Sequence, residues 1–342
     1  MNDHAAPAAF DWSAQRVIVT GGAGFLGTHV VERLGLRGVP DDAVFVPRKA
    51  DFDLTEKADC QRLYRDAFRG AEPTMVIHLA AEVGGIGANR ENPGRHFYAN
   101  MAMALHLIEL FRENGFADRG GKFVQAGTIC AYPKFAEIPF REETLWDGYP
   151  EETNAPYGVA KKAAWQMLDA YRLQYNMRST YALPVNLYGP RDNFNLHSSH
   201  VIPALIRKCI EAKERGDEYI EVWGTGSASR EFLFVEDAAD GILTCAEKMD
   251  DPTPINLGTN FEIKIRDLVH LIARLTGFAS EAEIESKIRW DSTKPDGQPR
   301  RCLDVSRARD LMGWEAKVGF EEGLERTIAW FLEHRNDADA RM

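Results

Sequence analysis

The first half of the chain alternates short, mostly β-branched apolar runs with longer segments whose apolar residues recur at helical spacing. Strands are predicted at 16–20, 43–46, 74–80, 122–126 and 178–186, and helices at 25–35, 97–114 and 157–175. Strands that are apolar along their whole length are typical of a parallel sheet covered by helices on both faces. The pattern therefore predicts βαβ units in a doubly wound α/β fold.

The pattern changes after Asn186. Residues 190–200 are polar and rich in turn-forming residues. Beyond them, helices are predicted at 201–215, 267–276 and 320–334, and a strand at 219–223. This change predicts two domains: a first one at 12–186, completed by elements within 231–260, and a smaller α/β domain mainly at 187–335.

Charge and hydropathy exclude several classes of protein. The 342 residues hold 41 Lys plus Arg against 52 Asp plus Glu, a formal net charge of −11. This balance disfavours binding to nucleic acid or to an anionic membrane, because both require clustered positive charge. No apolar run approaches the roughly 18 residues of a membrane helix, and the N-terminal residues do not resemble a secretory signal. We therefore expect neither a nucleic-acid nor a membrane partner.

Five cysteines are scattered along the chain: Cys60, Cys130, Cys209, Cys245 and Cys302. Their number is odd and none stands at C-x-x-C spacing, so neither a disulfide framework nor a metal site is predicted. A reducing, cytoplasmic compartment is the simple interpretation.

A glycine-rich turn follows the first predicted strand. Gly21, Gly24 and Gly27 have G-x-x-G-x-x-G spacing, with Phe25 and Leu26 opening a helix. Glycines permit a tight turn and let backbone N–H groups approach a pyrophosphate at the positive end of the helix. The alternative is a glycine turn without a ligand. The context of strand, turn and helix favours a Rossmann-type dinucleotide site in the first domain.

Two cations stand about 20 residues beyond these glycines, where an NAD site commonly carries a carboxylate for the ribose 2′-hydroxyl. They are Arg48 and Lys49, which suit a 2′-phosphate, so NADP(H) is predicted as the cofactor. The alternative is a solvated basic pair in a loop. Asp53 and Leu54 are placed to meet the adenine, and Ala80, at the end of the third predicted strand, completes the predicted cofactor site.

Tyr157 and Lys161 stand four residues apart, on one face of a predicted helix. An ammonium beside the phenol is expected to lower the pKa of Tyr157 and make it a proton donor to a carbonyl oxygen. Thr128, after the fourth predicted strand, can donate a second hydrogen bond to the same oxygen. Together with the glycine turn, this set resembles the extended short-chain dehydrogenase/reductase superfamily, in which Tyr157 and Lys161 would also contact the cofactor.

The resemblance narrows to the GDP-L-fucose synthase family. The segments that carry it are HLAAEVGGI (78–86), GTICAYP (127–133), NLYGPRDNF (186–194), SHVIPAL (199–205), WGTG (223–226), REFL (230–233) and KPDG (294–297). They run in family order over most of the chain. The resemblance implies conversion of GDP-4-keto-6-deoxymannose into GDP-L-fucose, by epimerisation at carbons 3 and 5 followed by reduction of carbon 4 with NADPH.

The resemblance also assigns roles to individual residues. Cys130 would be the base of the epimerisation and His200 the acid; the alternatives are a buried small apolar residue and a histidine at a helix start. The residues implied for the GDP-sugar are Asn186, Leu187, Val201, Arg207, Trp223, Arg230 and Lys294. The helices at 97–114 and 157–175 are the pair through which the family dimerises, so a homodimer is expected.

Two positions depart from the family pattern. Thr128 replaces the usual serine and keeps the hydroxyl, while Glu82 stands where lysine is common. The reversed charge at Glu82 indicates that the sugar could differ, as in relatives that use dideoxy or heptose derivatives. A nucleotide-sugar 4-epimerase or dehydratase, and a redox-sensing binding protein without chemistry, are the other hypotheses.

Overall fold

The computed structural model describes residues 10–84 and 90–335. Its strands are β1 Val17–Thr20, β2 Val44–Phe45, β3 Met75–His78, β4 Lys122–Ala126, β5 Arg178–Pro184, β6 Asn186–Tyr188, β7 Ile220–Trp223, β8 Ser229–Phe234, β9 Pro254–Leu257, β10 Glu262–Lys264 and β11 Ile288–Asp291. Its helices are α1 Phe25–Leu36, α2 Lys57–Asp66, α3 Pro93–Glu113, α4 Ala155–Tyr175, α5 Val201–Arg215, α6 Val235–Lys248, α7 Ile265–Leu275, α8 Glu281–Lys287, α9 Ser306–Met312 and α10 Phe320–Glu333.

A six-stranded parallel sheet in the order β2-β1-β3-β4-β5-β9 organises the molecule. Every residue of β1 is buried, and alternate side chains enter different cores. Val17 and Val19 pack on the side of α1 and α6, whereas Ile18 packs on the side of α2, α3 and α4. The alternation of side chains along a strand requires this two-sided burial. The predicted doubly wound α/β class is confirmed.

A third apolar core lies beyond this sheet. It is formed by α5, α7 and α10 together with the small sheets β10-β8-β6 and β11-β7. The chain leaves the large sheet at Val185, because β5 ends at Pro184 and β6 begins at Asn186 beside β8. The single strand predicted at 178–186 was therefore wrong at its end: its apolar residues continue without interruption, but two different sheets bury them.

The chain returns to the large sheet through α6 and β9, and β9 pairs with β5. Four helices, α2, α6, α8 and α9, had no counterpart among the predicted helices. The described helices include none that is long and apolar enough to cross a membrane.

Strand order places a crevice above β1. From β1 the chain passes to β2 on one side, and from β2 it crosses to β3 on the other side of β1. The two connections therefore diverge at the carboxyl end of β1. Ligands of open α/β sheets bind at such a switch point. The glycine turn begins at this end of β1.

Candidate active site

The glycine turn joins β1 to α1 with almost no free space around two of its glycines. Gly21 has φ +70°, and a methyl group there would lie 2.7 Å from the amide nitrogen of Ala80. A methyl group on Gly27 would lie 2.0 Å from the carbonyl oxygen of Gly21. These two positions require glycine, because they let the helix and the loop after β3 close on the turn.

Gly24 is less crowded than the other two glycines: a methyl group there would lie 3.2 Å from the carbonyl oxygen of Gly21. It is the N-cap of α1, no side chain caps the first turn of the helix, and that turn contains no acidic residue. The first backbone N–H groups of the helix have no partner within the helix and carry a partial positive charge. A dinucleotide pyrophosphate fits this cradle, and Phe25 and Leu26 are half-buried beside it.

The predicted 2′-phosphate site is partly neutralised. The Lys49 Nζ lies 2.9 Å from Glu82 Oε1, and Arg95 Nε lies 2.7 Å from Glu82 Oε2. Hydrogen bonds from Arg95 and then Lys49 lower the pKa of Glu82 to about 2. Arg48 is exposed and makes no ion pair with any other residue that the structure describes. Of the two predicted cations, Arg48 is therefore the one available to an anion.

Three other predicted residues of the cofactor site lie nearby. Asp53 accepts hydrogen bonds from the backbone and side chain of Thr55, which lower its pKa. Leu54 is buried, and Ala80 adjoins the glycine turn. Residues 85 and 86, which end the HLAAEVGGI segment, lie outside the described residues.

A short turn after β4 brings four predicted catalytic residues together. Thr128 caps this turn, and its Oγ1 accepts a hydrogen bond from the backbone N–H of Cys130 at 3.2 Å. Gly158 lets α4 approach: a methyl group there would lie 2.3 Å from the Cys130 carbonyl oxygen. This close contact places Tyr157 and Lys161 against the turn that carries Thr128 and Cys130.

Burial sets the titration of the tyrosine and the lysine. Tyr157 is 9% exposed, and burial raises its pKa, although a hydrogen bond with Thr128 opposes the rise. The direction expected for this pKa was therefore wrong for the protein without ligands. Burial lowers the pKa of Lys161 to about 8, and its Nζ lies 5.8 Å from the centroid of the Tyr157 ring. Loss of hydration on burial is the largest cause of both shifts.

Cys130 has a basic neighbour that the sequence analysis missed. The buried Arg301 places its Nη1 3.7 Å from the Cys130 Sγ. The two residues are 171 positions apart, so no spacing rule could have paired them.

His200 is the N-cap of α5 and ends the polar segment after β6. The residue is exposed at the surface. Desolvation by the surrounding protein nevertheless lowers the pKa of its imidazole. Within the described residues, no hydrogen bond connects His200 to Cys130 or Tyr157.

A second group of predicted residues gathers around Trp223, which is 50% exposed. The Lys294 Nζ lies 5.0 Å from the centroid of its ring, and the Lys208 Nζ lies 5.8 Å from it. The predicted Arg207 instead pairs with Glu211 at 2.7 Å. The neighbouring Lys208, which lies beside Trp223, was not among the predicted residues.

The spacing of residues along α5 indicates that Lys208 lies on the same side as a predicted substrate-binding residue. Val201 and Lys208 are seven residues apart, so they lie on one face of α5, whereas Arg207 is turned by about 100°. If Val201 faces the nucleotide, Lys208 is the basic residue that faces it too.

Asp296 connects the elements of this group. Its carboxylate accepts hydrogen bonds from the backbone and side chain of Thr225, and its carbonyl oxygen accepts one from Arg230 Nη2 at 2.7 Å. Burial, followed by the charge of Arg301, lowers the pKa of Arg230 to about 10. The Nδ2 of Asn186 donates to the carbonyl oxygen of Glu231, and Leu187 packs against the core on the α1 and α6 side of the large sheet. These contacts bring Trp223, Arg230 and Lys294 into one region.

Comparison with known proteins places the chain in a defined group. The model of the NAD dependent epimerase/dehydratase family matches residues 17–258. A probable GDP-L-fucose synthase 1 of Oryza sativa subsp. japonica is 38% identical over 93% of this chain and 92% of its own length.

Two crystal structures share the fold. A GDP-6-OMe-4-keto-L-xylo-heptose reductase from C. jejuni has a TM-score of 0.83 at 25% identity, covering 94% of this chain and 98% of the other. A GDP-L-fucose synthetase from Naegleria fowleri bound to NADP has a TM-score of 0.81 at 26% identity, covering 94% of this chain and 95% of the other.

Proposed function

The chain belongs to the NAD dependent epimerase/dehydratase family, and on that premise we propose that it is a nucleotide-sugar 3,5-epimerase and NADPH-dependent 4-reductase. Its substrate is GDP-4-keto-6-deoxymannose and its product GDP-L-fucose. The observation that carries the proposal is the close contact between α4 and the turn after β4, which unites Thr128, Cys130, Tyr157 and Lys161. The relative from rice and the NADP-bound structure from Naegleria fowleri support the same activity.

NADPH, when bound, supplies the hydride that reduces the ketone. The N–H groups at the start of α1 would hold its pyrophosphate, and the exposed Arg48 would bind the 2′-phosphate. The lysine Lys161 stays mostly protonated at neutral pH, because its pKa is about 8, and offers an ammonium beside Tyr157.

The epimerisation uses the acidity of C–H bonds next to a ketone. Cys130, as thiolate, removes a proton from the carbon, and the electron pair of the C–H bond enters an enolate whose charge rests on the ketone oxygen. Thr128 and Tyr157 donate hydrogen bonds to that oxygen. His200 then donates a proton to the opposite face of the carbon, which inverts its configuration. In the reduction, Tyr157 gives its proton to the oxygen of the new alcohol.

The group around Trp223 binds the GDP part of the substrate. The ring of Trp223 offers a flat apolar surface, and Lys208 and Lys294 place two ammonium groups over it. The guanidinium of Arg230 adds a third positive charge for the diphosphate. In this proposal residues 12–186, with elements of 231–260, hold the cofactor, and residues 187–335 mainly hold the GDP-sugar.

A homodimer and a cytoplasmic location belong to the same proposal. Helices α3 and α4 expose large apolar side chains on adjoining surfaces, among them Tyr98 (60%), Leu105 (45%) and Leu173 (71%). A second copy of the chain would bury them. A free Cys130 thiol is favoured by a reducing compartment, which the cytoplasm provides.

The activity is tested with purified protein, NADPH and GDP-4-keto-6-deoxymannose. We expect oxidation of NADPH at 340 nm and a product with the fucose configuration by NMR. The Cys130→Ala variant is expected to bind NADPH normally and to form no epimerised product. Wild-type protein that leaves NADPH unoxidised with this substrate would contradict the proposal.

One observation favours a second substrate. Glu82 replaces a cation, and a heptose reductase is among the similar structures. The same assay with a GDP-4-keto-heptose separates the two sugars: a kcat/KM higher for the heptose would assign the enzyme to it. Retention of NAD with no net consumption of NADPH would instead indicate a 4-epimerase.

A further inference from the structure

Arg301 is a buried guanidinium to which the proposed reaction gives no role. It is 8% exposed, and its Nη1 lies 3.7 Å from the sulfur of Cys130. Its Nε donates a hydrogen bond to Gln298 Oε1 at 2.8 Å. A buried charge is costly unless it has partners, so the position of this side chain is strongly determined.

Hydrogen bonds connect the segment that carries Arg301 to the loop after β4 and to β8. Gln298 is buried and donates from its Nε2 to the carbonyl oxygen of Lys134 at 2.6 Å, four residues beyond Cys130. The carbonyl oxygen of Arg301 accepts a hydrogen bond from the backbone N–H of Glu231 at 3.1 Å. The carboxylate of Glu231 accepts another from the backbone N–H of Leu303 at 2.6 Å. Gln298 and Glu231 thus fix the segment on either side of the arginine.

A second guanidinium nearby does not replace this contact. Arg230 lies close enough to interact electrostatically with Cys130 and Arg301, but its two end nitrogens donate to the carbonyl oxygens of Ser229 and Asp296. Arg301 is therefore the arginine that donates directly to the sulfur.

We propose that Arg301 is a positioning residue for the epimerisation: its guanidinium hydrogen-bonds the sulfur of Cys130 and stabilises the thiolate that removes the substrate proton. The inference rests on the proposed function. The thiolate takes the proton and becomes a thiol, and the C–H electron pair passes into the enolate held by Thr128 and Tyr157. A charge-assisted hydrogen bond favours the charged partner, so removing Arg301 leaves less thiolate at neutral pH.

The first test needs no sugar. The rate at which iodoacetamide alkylates Cys130 is measured from pH 6 to 10 by mass spectrometry of the intact protein and its peptides. The other four cysteines are buried and provide an internal reference. In Arg301→Met we expect the midpoint of the profile to rise by about one pH unit and the rate at pH 7 to fall about tenfold. Arg301→Lys keeps the charge and is expected to stay within about threefold of wild type.

The matched control is Arg300→Met. Arg300 is the adjacent arginine, but it is exposed and pairs with Glu262 at 2.7 Å. We expect no change in its alkylation profile. If Arg301→Met fails to fold by circular dichroism, Arg301→Gln, which also removes the charge, is expected to show the same shift. A folded, uncharged variant with the wild-type midpoint would overturn the proposal.

The second test measures proton removal directly, as deuterium uptake from D₂O next to the ketone without NADPH. Arg301→Met is expected to slow the uptake about tenfold while the Kd for NADPH stays unchanged. A rise in KM with unchanged uptake would make Arg301 a substrate-binding residue and overturn the proposal. If wild-type protein neither exchanges the proton nor oxidises NADPH, the proposed function fails, and the alkylation profile still decides the link between Arg301 and Cys130.

Discussion

The corner where α4 meets the turn after β4, and the region around Trp223, are built in different ways. In the corner, the proposed catalytic residues follow from local motifs: Thr128 and Cys130 share one turn, and Tyr157 and Lys161 share one helix face. Around Trp223, the residues come from β7, α5, β8 and the loop after β11, and Asp296 connects two of these elements. Our proposal assigns the chemistry to the corner and nucleotide binding to the other region.

This difference predicts which kinetic constant each region controls. Residues of the corner act on groups whose charge changes during the reaction, so their loss lowers kcat. Residues around Trp223 contact the unreactive nucleotide equally in substrate and transition state, so their loss raises KM.

The largest effect is expected from Tyr157→Phe. The variant loses the proton donor to the ketone oxygen, and general acid catalysis contributes roughly 10²–10⁴-fold. We therefore expect NADPH oxidation to fall at least about a hundredfold in kcat, with KM changed little. Lys162→Met is the control: Lys162 is buried on the same helix, but its Nζ lies 4.3 Å from the ring centroid of Trp146. Equal losses in both variants would show damage to the helix instead of lost chemistry.

The same contrast explains which parts of the candidate site could be predicted from the sequence. The glycine turn and the set of Thr128, Tyr157 and Lys161 could be predicted because each needs only a few neighbouring residues to take one shape. Arg207 was predicted and Lys208 was not, although the spacing from Val201 places Lys208 on the same face of α5. Arg301 could not be found, since its contact with Cys130 depends on the path of a distant segment.

Two further differences have the same origin. The end of the strand predicted at 178–186 changes sheets, because pairing partners decide the sheet to which an apolar run belongs. The pKa of Tyr157 moves upward instead of downward, because burial depends on packing around the whole residue. Both the strand end and the pKa of Tyr157 depend on how the whole chain packs, which the local sequence pattern does not specify.

The pH profile of the corner gives the second prediction. Burial lowers the pKa of Lys161 to about 8, so its ammonium is present below that pH and is lost as the pH rises through it. If the ammonium supports Tyr157, kcat is expected to fall about tenfold per pH unit above this value. Lys161→Arg, whose guanidinium remains charged, is expected to move the descending limb upward. A limb that stays in place in this variant would assign it to another group.

The third prediction concerns the nucleotide region. Lys208→Ala removes one ammonium from the side of Trp223 and is expected to raise KM for the GDP-sugar about fivefold at unchanged kcat, because a charge contact made by a half-buried side chain near the surface contributes about 1 kcal/mol. Arg207→Ala is the matched control on the same helix, since Arg207 pairs with Glu211. A larger KM in Arg207→Ala than in Lys208→Ala would reverse the assignment of the two residues.

The smallest effect is expected at the boundary of the cofactor site, from Glu82→Gln. Glu82 holds Lys49 by an ion pair, so its neutralisation releases a cation beside the exposed Arg48. Because Lys49 is 69% exposed and well hydrated, the gain is small, and we expect the Kd for NADPH to decrease about twofold while that for NADH does not change.

Arg95→Met is the control, since Arg95 donates to both oxygens of Glu82, more closely to the one that Lys49 does not contact, but does not follow β2. It leaves Lys49 paired, and the Kd for NADPH is expected to stay at the wild-type value. Tighter binding of NADPH and NADH alike in Glu82→Gln would mean that the carboxylate repels the pyrophosphate. A Kd that decreases for NADPH but not for NADH would place the effect at the 2′-phosphate, because that group alone distinguishes the two cofactors.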